Sequence, residues 1–176
     1  YQVSPVTPSF WTGGIVEPVR PSLGQSTYSL DDYRRRYAEA KSDGDLIRAH
    51  AAHAFVCSYD DHEVDNNWVS DQDADGVDAD IFALRRAAAF QAWYEHMPVR
   101  RSQLPRGGVP KMYRDLKFGR LAHIDICDTR LYRTNQPCGD GFKPHCAEVD
   151  DRNAQVLGAE QEAWVARNLA NRDHVW

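Results

Sequence analysis

The stretch SYDDHEVDNNW, residues 58–68, follows directly on the apolar run Ala54-Phe55-Val56-Cys57. Short, β-branched and aromatic, AFVCS (54–58) predicts a brief buried strand. The polar residues that follow put carboxylates, an imidazole and two carboxamides at the end of that strand. In open α/β sheets, active sites collect in the loops beyond the C-terminal ends of strands. Hard cations are bound by carboxylate, amide and imidazole ligands, and Asp60-Asp61-His62-Glu63-Val64-Asp65-Asn66-Asn67 offers all three. His62 has three candidate roles there: metal ligand, general acid, or donor to a phosphate. A generic Asp-Asp pair would face water, whereas Asp-Asp-His-Glu at a strand end marks a candidate site.

Working outward, helices and strands alternate. Ser29 predicts an N-cap, Asp31 and Asp32 fall in the first turn, and YRRRYAEAK continues the helix. Gly44 breaks it, and DLIRAHAAH reads as a second short helix. Residues 59–78 are a polar loop. ADIFALRRAAAFQAWYEHM (79–97) predicts a strong helix whose apolar stripe is Ile81, Leu84, Ala88, Trp93 and Met97, ended by Pro98. MYRDLKF and LAHIDICD alternate about Gly119 and predict a hairpin. GAEQEAWVARNLAN (158–171) predicts a helix with Ala163, Trp164, Val165 and Leu169 near one face. Residues 1–27 carry four prolines and three glycines and read as extended or loop. This alternation is the pattern of an α/β domain. A second polar cluster, Asp128-Thr129-Arg130, follows the second hairpin strand as Asp60–Glu63 follows the strand expected at 54–58.

The totals exclude several function classes. With 176 residues and 42% hydrophobic content, the chain has material for one domain with a core. A net charge of −5 supplies no basic surplus for phosphate neutralisation, so nucleic-acid binding is not expected. No apolar run approaches the roughly 18 residues of a membrane span. The chain opens on Tyr1 rather than Met and closes on Trp176 at what reads as the entry to a strand, as an excerpt would. Cys57 and Cys127 lie in apolar runs and read as buried free thiols. Cys138 and Cys146, eight apart in PCGDGFKPHC, fit a loop-clamping disulfide, which suits an exported protein, or a zinc pair with His145.

YDDHEVDNNW, LRRAAAFQAWYEHMPVR, MYRDLKFGRLAHIDICDTRLYRTNQPCGDG and LGAEQEAWVARNL, in order over about residues 28–176, together resemble the alkaline phosphatase D (PhoD-like) family of calcineurin-like metallophosphoesterases. Tyr59 stands where the family signature has tryptophan. The resemblance implies a two-sheet sandwich flanked by helices, and metal-dependent hydrolysis of phosphomonoesters and phosphodiesters with iron and calcium. It makes Asp61 a metal ligand. His62 becomes the residue that contacts phosphate and protonates the leaving oxygen. Asn66 and Arg86 become further metal or phosphate contacts, with Glu63 orienting His62 and Asp60 beside it in the signature. Arg86 has the alternative of a solvated helix arginine, like Arg85. Asp128 and Arg130 read as a buried network bracing the site. Tyr1 is a metal candidate at the end of an otherwise absent upstream motif. Residues 1–176 would then be the central part of the catalytic domain with both ends missing, inactive alone, from a secreted or periplasmic protein acting on a phosphate-ester substrate.

Two rival readings accompany this one. Asp71, Asp73 and Asp75 with Gly76 resemble the first half of a calcium-binding EF loop. Its twelfth position is Phe82 where a bidentate Glu is needed, with Asp78 and Asp80 nearby, so a non-catalytic calcium module over Asp71–Asp80 is the first rival. A family member that has lost catalysis is the second.

Overall fold

The computed structural model describes residues 26–139, 141–171, 173 and 174, together with the backbone of two short strands near the N-terminus. These strands, β1 (Thr7–Pro8) and β2 (Ile15–Val16), pair antiparallel within the segment expected to be loop. Helix α1 spans Leu30–Lys41, α2 Gly44–Ala52, α3 Ala79–His96 and α4 Ala159–Ala170. Strands β3 (Arg114–Phe118) and β4 (Ala122–Ile126) form an antiparallel hairpin with Arg114 opposite Ile126 and Phe118 opposite Ala122.

Local chemistry sets these boundaries. Ser29 accepts the Asp32 amide while the Asp32 carboxylate takes the Ser29 amide, a reciprocal cap that satisfies two orphan donors of α1. Asp43 caps α2 through the amides of Asp45 and Leu46, so Gly44 is the first residue of that helix rather than a break before it. Gly119 has φ +53° at the hairpin turn, a region that a residue without Cβ enters at little cost.

The core lies where α1 and α3 cross the polar loop 59–78. Tyr33, Tyr59, Val64, Trp68, Phe82, Phe90, Trp93 and Met112 form one buried cluster. Tyr59 meets Phe90 at 4.7 Å and stands edge-on to Trp93 at 5.7 Å, while Trp68 stands edge-on to Phe90 at 5.9 Å. The buried stripe of α3 is Phe82, Ala89, Phe90, Ala92 and Trp93. Ile81 and Leu84, placed in the stripe by the sequence reading, face outward. On α4 the buried residue is Gln161, and Leu169 is exposed.

Two further expectations are corrected. Residues 54–58 make no strand ladder among the described residues, and Phe55 and Val56 are exposed. An extended segment becomes a strand only when a neighbouring backbone takes up its amides and carbonyls, whereas here the Cys57 carbonyl accepts from the Arg114 side chain and Ser58 meets the Cys127 carbonyl through its hydroxyl. The described residues are therefore a mixed helical and antiparallel arrangement of two separate two-stranded ladders. Cys57 and Cys127 are free and half-buried rather than buried.

Candidate active site

The loop after residue 58 is folded down by its apolar members and leaves its polar members at the surface. Val64 and Trp68 are fully buried beneath it. The Val64 and Asp65 amides both donate to the Asp61 carbonyl at 2.9 Å, making one tight turn. The Trp68 indole N–H donates to the same carbonyl at 3.0 Å. Tyr33 donates its hydroxyl to the Val64 carbonyl at 2.6 Å and so ties α1 to the turn. Asn67 closes it with φ +53°, a left-handed conformation that Asn adopts more readily than most residues.

Within this turn the side chains divide by exposure. Asp61 is 13% exposed, against 51% for His62 and 66% for Asp60. One Asp61 oxygen accepts the His62 amide at 3.0 Å and the other the Asn67 amide at 2.9 Å. Burial alone would push the Asp61 carboxyl up. The Asn67 amide, the Arg130 guanidinium and His62 outweigh burial and hold it below the usual carboxylate range. His62 Nε2 lies 3.1 Å from Asn66 Oδ1 and 3.7 Å from Asp61 Oδ2. The structure thus brings Asp61, His62 and Asn66 together.

Glu63 takes a different place. Its carboxylate accepts the Asp60 amide at 2.7 Å and closes the turn, while His62 Nε2 meets Asn66 Oδ1. Spacing accounts for this: a side chain three residues on reaches back to a turn's first amide, as in a capping box.

Arg130 arrives from the other polar cluster. Its Nε donates to Asp60 at 2.6 Å, and a terminal nitrogen lies 3.6 Å from Asp61. Asp128, fully buried, positions it through the backbone. One of its oxygens accepts the amides of Arg130 and Leu131, each at 3.0 Å, and the other accepts the Tyr59 hydroxyl. The expected Asp128–Arg130 brace is present, but the guanidinium itself turns to Asp60 and Asp61. Burial, with Asp128 beside it, pushes the Tyr59 hydroxyl far up, so it remains a neutral donor.

Arg86 stands elsewhere. It donates to the Ser70 carbonyl, and the Ser70 amide donates to the Arg130 carbonyl at 2.9 Å. It therefore supports the backbone behind Arg130, at one remove from Asp61 and His62. Burial pulls its guanidinium pKa down. Arg85, read as solvated, is the more engaged of the pair. It pairs with Asp65, lies 3.8 Å from Asp73, and donates to the Tyr33 hydroxyl at 3.2 Å and the Thr27 carbonyl at 3.0 Å.

The sequence reading also missed Gln161. Nearly fully buried on α4, it accepts the Asp128 amide at 2.7 Å and donates to the Asp128 carbonyl at 2.8 Å. One signal was available: Gln161 shares a helical face with Trp164, Val165 and Asn168, and a polar residue on such a face needs a partner. Tyr1 lies outside the described residues. Cys138 and Cys146 form the disulfide, with Cα atoms 5.9 Å apart, which removes the zinc alternative.

The fit to a metal is incomplete. Among the described residues no three His, Cys, Asp or Glu side chains converge as a metal group would need. Both Asp61 oxygens already accept amide hydrogens. The calcium loop fares no better. Asp73 is turned inward, with one oxygen accepting the Asp75 and Val77 amides and the other lying toward Arg85.

The profile of the PhoD-like phosphatases matches residues 5–176. The chain is 44% identical over 158 residues to a protein described as alkaline phosphatase D of Bacillus subtilis (strain 168), covering 90% of the chain and 27% of that protein. It also aligns with a solved structure described as PhoD, with a TM-score of 0.86 and 43% identity over 91% of the chain and 31% of that structure. The chain thus spans about a quarter of the length of the curated relative it matches.

Proposed function

The chain belongs to the PhoD-like phosphatase family, and from that premise we propose that it is the central part of a catalytic domain that hydrolyses phosphate esters. The observation that carries this reading is the Asp61–His62–Asn66 group, held on a buried turn and braced by Arg130. Phosphoester hydrolysis needs neutralised oxygens, an activated water and a proton for the leaving group. His62, half exposed and in reach of Asn66 and Asp61, is placed to hold that proton on its ring. Asp61, kept ionised by the Asn67 amide and the Arg130 guanidinium, lies 3.7 Å from the His62 ring. Arg130 fixes Asp60 and Asp61 and adds positive charge at the rim.

Enzymes of this family are metal-dependent phosphatases. Iron and calcium remain the proposed metals. Asp61 and Asn66 would supply oxygen ligands, and, with no group of three His, Cys, Asp or Glu converging among the described residues, further ligands would come from outside them. The same holds for the proposed two-sheet sandwich, of which the described ladders are a part. A secreted or periplasmic location is proposed on the Cys138–Cys146 disulfide, since such bonds persist in oxidising compartments.

The test is hydrolysis of p-nitrophenyl phosphate and its bis ester, with iron and calcium supplied, by the 176-residue chain and by a longer chain of the family carrying it. The longer chain should turn over, and His62→Asn should cost it about 100-fold or more in kcat, the scale of a lost general acid. The 176-residue chain alone should be silent. Full activity in the His62→Asn enzyme would remove His62 from the mechanism. A longer chain without turnover would favour the catalytically dead relative.

A further inference from the structure

A cavity of about 690 Å³ opens between the approach to β3 and the outer face of α4. Its size is that of a small-molecule site. Tyr113 and Trp164 line it with their rings 5.3 Å apart and inclined at 53°. Lys111 and Arg167 stand on its walls. The Lys111 ammonium lies 5.0 Å from the Tyr113 ring centre, and neither cation has an ion pair among the described residues. Of the two acids lining the cavity, Asp115 is occupied by His123 at 3.0 Å and Lys117 at 3.8 Å, which leaves Glu160 as the opposing charge.

One wall of the cavity comes from a cation-rich stretch, of which Lys111 and Arg114 line it, with Arg114 donating to the Met112 and Cys57 carbonyls. The stretch from Arg100 to Arg120 holds seven of the chain's 21 lysines and arginines and one acid, in a chain whose net charge is −5. A cavity pairing an aromatic ring with cations that lack a carboxylate partner among the described residues suits a ligand with a planar ring at one end and a phosphate at the other. Aromatic side chains stack any base, and arginine and lysine take up phosphate oxygens.

We propose that this cavity binds a nucleoside monophosphate, its base stacked on Trp164 and its phosphate held by Lys111 and Arg167, with Tyr113 backing the Trp164 ring. Binding here does not depend on hydrolysis at His62. The test is calorimetric titration of the full chain with AMP in the presence of EDTA, beside inorganic phosphate and ribose 5-phosphate. AMP should bind about tenfold more tightly than either, the scale of one stacked base. Trp164→Leu should remove that advantage and leave phosphate binding as it was. Arg167→Ala, at an exposed helix position, should weaken AMP and inorganic phosphate alike. His62→Asn should leave AMP binding unchanged. Equal affinity for the three ligands, no binding of AMP, or AMP binding untouched by both Trp164→Leu and Arg167→Ala would overturn the proposal. Loss of AMP binding in His62→Asn would overturn it too, by moving the nucleotide to the Asp61–His62 group.

Discussion

Arg130 is a buried cation whose two carboxylate partners differ in exposure. Its side chain is 9% exposed, against 66% for Asp60 and 13% for Asp61. The pair with Asp60 is screened by water and contributes little to stability. The field on Asp61 acts through the protein and carries more. Arg130→Ala should lower unfolding stability by about 2 kcal/mol, the order of a hydrogen bond to a charged group. The sharper readout is Asp61 itself. Its folded pKa lies below the ordinary value, so it contributes stability at neutral pH and loses it as pH falls through that lowered pKa. Without Arg130 the carboxyl should titrate at higher pH, as carbon-detected NMR of the Asp side chains would record. An unmoved titration would assign the depression to the Asn67 amide and His62. Tyr59 gives a second prediction at this scale. Tyr59→Phe leaves one oxygen of the fully buried Asp128 without its hydroxyl donor, and should cost about 1–3 kcal/mol in denaturant unfolding. The substitution keeps the ring against Phe90 and Trp93, so the loss reports the hydrogen bond rather than packing.

Between elements, the clearest electrostatic link joins α1 to α3. Arg34 meets Glu95 through two bonds of 2.7 Å, a forked geometry. The Arg34 hydrogen bonds bring the Glu95 pKa down from 4.5 to about 2. A depressed carboxylate stabilises the fold above its unfolded pKa and ceases to as pH falls through the folded one. Glu95→Gln should therefore melt below the parent at pH 7, and the gap should close between pH 4.5 and about 2. A gap constant with pH would mean that the loss is one of packing. Elements of this kind were largely legible in the sequence, because their signals are local. Ser29 caps α1, Gly119 turns the hairpin, and Pro98 follows the end of α3, each within a few residues of what it controls. The strand expected at 54–58 was not legible in that way, since a strand is defined by backbone pairing and none of the described segments pairs with it. The α3 stripe was misread because Ile81 and Leu84 look apolar, while the inward face carries Arg85 and Arg86 among Phe82, Ala89 and Phe90. The Asp61–His62–Asn66 group could be read because its members are contiguous. Arg130 could not be assigned to Asp60, 70 residues away, nor Gln161 to Asp128, until the chain was folded.

At the scale of the whole molecule, the site rests on the most buried part of the chain and not on a free loop. Val64 and Trp68 hang the Asp61 turn from the cluster formed with Phe82, Phe90 and Trp93. Local opening costs least where few apolar groups are buried. Helix α2 buries no residue, whereas α3 buries five and α1 buries Tyr33. Native-state hydrogen exchange should then show α2 opening first and α3 last. The Val64 and Asp65 amides, though they lie in a loop, should exchange with α3. The Trp68 indole N–H, donating to the Asp61 carbonyl, should follow them. If the Val64 and Asp65 amides instead exchange with α2, the turn is not coupled to the core. His62 would then not be held in advance for proton transfer, and its position would have to be set by substrate.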